Sequence, residues 1–105
     1  MFKNVLLTPS REAQIIIQRA LERFSYHQHV RYCLLVVNDS YNRQYNFFLE
    51  WRRPVERSRS VPLHSVHEYD LAYLKQVLGF VQKRIGFSVA LRDFEQSDLQ
   101  LLQKS

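Results

Sequence analysis

The sequence predicts an α+β fold of ferredoxin-like order, on three observations. Apolar residues recur at three- and four-residue spacing in two segments, 9–25 and 66–84. Two β-compatible runs, Val30–Val37 and Arg43–Arg52, flank a polar turn as the arms of a hairpin do. Shorter strand-like segments stand before the first helix and after the second. The resulting βαββαβ order places two helices on one face of a four-stranded antiparallel sheet, with an extra C-terminal helix.

The first strand falls on Phe2–Leu7. Thr8 caps the first helix and Pro9 takes its first position, where a missing N–H needs no partner. Ala13, Ile16, Ile17, Ala20, Leu21 and Phe24 form its buried stripe, with Arg11, Gln14, Gln18, Arg19, Glu22 and Arg23 mainly opposite. Val30–Val37 is apolar on both alternating faces. Asn38 to Asn42 supplies turn chemistry. In Arg43–Arg52, Tyr45, Phe47, Leu49 and Trp51 share one face and Gln44, Asn46, Phe48, Glu50 and Arg52 the other.

Residues 53–64 read as a flexible basic loop, with two prolines and an arginine excess. Ser65 and Glu68 match a capping box ahead of a helix to about Arg84. Leu71, Leu74, Val77, Leu78, Val81 and Ile85 are its core stripe, with Gly79 in position for close approach of the first helix. Gly86 suits the position after the helix end. Phe87–Leu91 is the fourth strand, and a short helix follows from Asp93.

The whole chain, 1–105, reads as a single domain. Fifteen Lys and Arg against ten Asp and Glu give a formal charge of +5, which suits a polyanionic or acidic partner. Cys33 is the sole cysteine and lies in the most apolar run, which excludes an internal disulfide and disfavours a thiolate metal site. No run reaches membrane-spanning length, and the short apolar N-terminus is not a signal peptide. The expected setting is cytoplasmic, with no membrane partner.

Three groups of residues carry candidate function. Arg43, Arg52, Arg53, Arg57 and Arg59 are candidates for phosphates or an acidic protein surface. Tyr45, Phe47 and Trp51 are candidates for base stacking if their face of the sheet is open. Alternation alone favours the opposite arrangement, with that ladder packed under the helices. Tyr69, Tyr73 and Phe80 form an aromatic flank on the second helix, suited to a protein partner.

The segment Arg43–Leu49 resembles the RNP1 pattern of RNA-recognition motifs in its basic and aromatic positions. It departs from that pattern at Gln44 and Asn46, which stand where small residues are expected, and at Glu50, which stands where the final aromatic is expected. The chain is not assigned to that family.

His64, His67, Glu68 and Asp70 are the residues best suited to acid–base or metal chemistry, and His27 and His29 form a second, weaker pair. Neither spacing matches a zinc signature. The chain contains no phosphate-binding glycine loop, nucleophile elbow or dinucleotide fingerprint. The expectation is therefore a non-catalytic domain without metal or cofactor, a histidine-dependent nuclease or hydrolase being the weaker enzyme reading.

In a ferredoxin-like sheet the apolar second strand lies at an edge, where such strands invite pairing. On that ground the leading expectation is a protein-interaction or regulatory module, self-associating as a homodimer through its hairpin. The alternative is a single-stranded nucleic-acid-binding module using the 52–59 loop and the sheet aromatics.

Overall fold

A computed structural model describes residues 7–23 and 30–103. The elements are α1 (Pro9–Arg23), β1 (Arg31–Asp39), β2 (Gln44–Arg52), β3 (Arg59–Val66), α2 (Leu71–Arg84), β4 (Ser88–Arg92) and α3 (Gln96–Gln103). The expected first strand lies outside the described residues, except for Leu7, which is not in a strand.

The sheet is mixed, in the order β3-β2-β1-β4. β1 pairs antiparallel with β2 and parallel with β4, and β2 pairs antiparallel with β3. This overturns the ferredoxin-like antiparallel arrangement. The physical reason lies in 59–66: these residues form an edge strand instead of a loop, so three consecutive strands make a meander. The chain then crosses through α2 to lay β4 beside β1. β1 is therefore central, and its two-sided apolar character needs no second copy to explain it.

The core lies between the sheet and α1 and α2. Ala13, Ile16, Ile17 and Ala20 from α1 and Leu74, Val77, Leu78 and Val81 from α2 join Leu34, Val36, Tyr45, Phe47 and Leu49 from the sheet. The ladder of β2 thus faces the helices, as alternation favoured. On the opposite face, cross-strand pairing aligns Pro62, Phe48, Leu35 and Ala90 in a row. Leu35 is only 5% exposed, yet stands outside the main core cluster.

α2 begins five residues later than a Ser65 cap implies. Asp70 is the cap, its carboxylate accepting from the Tyr73 backbone N–H at 3.0 Å. Ser65 stays in β3 and donates its hydroxyl to Asn46 Oδ1 at 2.7 Å. Ile85, in extended conformation, is the C-cap, and Gly86 follows it at C′ without a positive φ. Gly79 meets no atom within 4 Å where a Cβ would stand, so it does not serve close packing with α1.

Candidate functional site

Two features stand out. One is a cluster of arginines at one end of the sheet, the other a cleft between α1, β3 and α2.

At the sheet end, Arg31 and Arg52 are direct cross-strand partners, and Trp51 stands opposite Arg59. Strand alternation sends Arg52 to the face away from the helices and Trp51 to the helix side. Arg53 lines a cleft on each side: one with Arg31, Arg52 and Pro54, the other with Trp51, Glu56, Arg57 and Arg59. All five arginines are exposed, and among the described residues Glu56 is the only carboxylate lining either cleft. Like charges placed directly opposite on neighbouring strands oppose pairing. The connecting loop holds Val55 at φ 57°, a left-handed conformation that is strained for a β-branched side chain. Mutual repulsion and backbone strain thus fall together at one exposed end of the sheet.

The predicted site residues are only partly brought together. Arg53, Arg57 and Arg59 share one cleft, and Arg53 shares the other with Arg52 and Arg31. Arg43 lies at the far end of the hairpin, at φ 54°, with its guanidinium 5.0 Å over the Tyr69 ring. Tyr45 is 2% exposed and Phe47 fully buried, so neither offers a free face for stacking. Trp51 is half-buried and lines the arginine cleft, and it alone of the three keeps that capacity.

The aromatic flank is not a continuous surface. Tyr69 stacks on Tyr45 at 5.0 Å and donates its hydroxyl to Asn38 Oδ1 at 2.7 Å. Phe94 covers Tyr45 at 5.9 Å. Burial pushes the Tyr45 phenol up to about 12. Phe80 is exposed, with Lys83 6.0 Å from its ring. Tyr73 belongs to the second feature.

That feature centres on Glu12, which is only 4% exposed. A register shift between Phe47 and Phe48 inserts Leu63 into β3, pairing Phe47 with His64 and Phe48 with Pro62. The bulge turns His64 towards α1. Its Nε2 lies 2.5 Å from Glu12 Oε1. The Tyr73 hydroxyl lies 2.9 Å from Glu12 Oε2 and 2.6 Å from the Leu7 carbonyl, either of which accepts its one proton. Burial, then the hydrogen bond and charge of Glu12, push the Tyr73 phenol up to about 12. Arg19 donates from Nη1 to the bulged Leu63 carbonyl at 2.6 Å.

These groups line a cleft of about 660 Å³ with Leu7, Ser65, His67 and Glu68. His64 Nδ1 has no protein partner among the described residues, and no buried side-chain nitrogen or oxygen there lacks one. Nδ1 is therefore not buried, and His64 lines the cleft. Of the candidates for acid–base chemistry, His64, His67 and Glu68 converge here, while Asp70 is occupied as a cap. His27 and His29 lie outside the described residues.

The chain matches no family model, curated protein or solved structure. The functional argument therefore rests on these two features. Among the described residues no group of three or more His, Cys, Asp or Glu is arranged to hold a metal ion. No described helix is long and apolar enough to cross a membrane.

Sequence reasoning missed Glu12 and Arg31. Glu12 stands four and eight residues before Ile16 and Ala20, so it shares their buried stripe. A carboxylate on an apolar stripe was the available signal. Arg31 is isolated in sequence, and only the strand pairing brings it to Arg52.

Proposed function

We propose that this domain binds single-stranded nucleic acid at the arginine-rich end of its sheet. The observation that carries the reading is the gathering of five exposed arginines, Arg31, Arg52, Arg53, Arg57 and Arg59, at one end of the sheet, with half-buried Trp51 in the cleft of Arg53, Arg57 and Arg59. Guanidinium groups pair with phosphate oxygens in a bidentate fork, and an indole face accepts any unpaired base. Single strands are favoured over duplex because their bases are free to stack. Arg43 and the buried Tyr45 and Phe47 take no part.

The test is anisotropy of labelled single-stranded RNA and DNA at about 50 and 200 mM salt. Five phosphate contacts give a slope of log affinity against log salt of about −3.5, a loss of roughly 100-fold across that range. Each Arg→Ala change at the five positions reduces the slope by about 0.7. Salt-independent affinity, or none at low salt, refutes the reading.

A second reading is the protein-interaction module, now supported by the row Pro62, Phe48, Leu35 and Ala90 on the face away from the helices. It no longer draws on an exposed apolar edge, because β1 is central. Light scattering that finds only monomer at high micromolar concentration removes its homodimer form.

A further inference from the structure

The cleft beside His64 joins three kinds of group that nucleic-acid binding at the sheet end does not use. His64, which lines the cleft, has one ring nitrogen fixed on a buried carboxylate and the other unburied, with no partner among the described residues. His67, exposed and three residues on, lines the same cleft. Arg19 also lines it, positioned by its bond to Leu63 and keeping its other donors.

Basic residues also follow Glu12 along α1. Glu12, Arg19 and Arg23 are spaced seven and four residues apart, which puts them on one stripe of α1. Glu12 meets His64, and Arg19 meets Leu63, so the stripe faces β3. Arg19 and Arg23 thus put two cations on the stripe of α1 that carries Glu12.

We infer that this cleft cleaves single-stranded RNA by attack of a ribose 2′-hydroxyl on the adjacent phosphodiester; the inference rests on the nucleic-acid reading above. With its Nε2 proton directed at Glu12, neutral His64 presents Nδ1 as a proton acceptor. Nδ1 takes the 2′-hydroxyl proton as the 2′-oxygen–phosphorus bond forms. The phosphorus–O5′ bond breaks, and protonated His67 gives its proton to O5′. The products are a 2′,3′-cyclic phosphate and a 5′-hydroxyl. No metal, oxidant or water is consumed. Arg19 faces the charge that develops on the phosphoryl oxygens. Glu12 is a positioning residue: it orients His64 and stabilises the imidazolium that forms.

The experiment incubates full-length protein with a labelled single-stranded RNA in excess EDTA and identifies the product ends by mass spectrometry. A 2′-O-methyl strand of the same sequence reports binding without reaction. Wild type is expected to leave cyclic-phosphate ends. His67→Ala and His64→Gln are each expected to slow cleavage by about 100-fold or more. Both variants are expected to keep the wild-type circular dichroism and 2′-O-methyl affinity, since His67 is exposed and a Gln amide can still donate to Glu12. Glu12→Gln is expected to shift the pH–rate profile, in a cleft whose other charged or titratable groups are Arg19, His67, Glu68 and Tyr73. Intact RNA with wild type, or equal rates in the histidine variants, overturns the inference. Binding of the 2′-O-methyl strand in that event leaves the nucleic-acid reading standing, and its absence removes both.

Discussion

Glu12 and His64 are 52 positions apart in the chain and meet at 2.5 Å, joining the first turn of α1 to the bulge of β3. With Tyr73 they tie three elements together through one buried carboxylate. Both Glu12 oxygens have partners, so the buried carboxyl group is satisfied.

Removing one partner exposes that dependence. His64→Ala is expected to lower stability by about 3 kcal/mol, because it leaves Glu12 buried with Tyr73 alone. His64→Gln restores a donor and should recover most of the loss. Urea denaturation of the two variants measures the difference. Equal stability of His64→Ala and wild type would show that the contact contributes nothing.

Two tyrosines set an alkaline limit. Tyr45 and Tyr73 both ionise near 12 in the folded chain against 10.0 for the free side chain. The folded state thus holds more phenolic protons between those values, and stability falls as pH rises through that window. Below about pH 10 the two groups add no pH dependence. Tyr73→Phe is expected to flatten part of the decline. Chemical denaturation at pH 9, 10 and 11 on wild type and variant reads it, and identical slopes would contradict the assignment.

Gly79 lies inside α2 with open space where a Cβ would stand. Gly79→Ala is expected to stabilise the protein by about 1 kcal/mol through helix propensity alone. A thermal melt checks it, and destabilisation would mean that the glycine has a packing role after all.

The periodic elements were legible in the sequence, and the discontinuous ones were not. The stripe Ala13, Ile16, Ile17 and Ala20 announced α1, and the alternation from Tyr45 to Trp51 announced β2 but left open which face of the sheet its ladder takes. β3 was hidden because Ser60, Pro62 and Ser65 interrupt its apolar residues, and because its bulge puts Leu63 and His64 out of strict alternation. A proline is tolerated there because β3 is an edge strand. Ser65 and Glu68 imitated a capping box while Asp70 supplied the true cap. Without β3 the meander was invisible, and so was the crossover that makes β1 central.

The candidate site followed the same division. The cluster Arg52, Arg53, Arg57 and Arg59 was visible as a local excess of charge, whereas Arg31 arrived only through strand pairing. The cleft depends on contacts across 52 and 61 positions, which no local pattern encodes.

The central claim is that nucleic acid meets the arginine-rich end at Trp51. Trp51 is the only tryptophan in the chain, so its emission reports that place alone. The decisive measurement is tryptophan fluorescence during titration with a single-stranded oligonucleotide at about 50 mM salt, repeated at about 200 mM. The account predicts saturable quenching that shifts to higher strand concentration with salt, and that is weakened in Arg53→Ala. Emission that stays unchanged while anisotropy shows the strand bound would place the contact elsewhere and contradict the account.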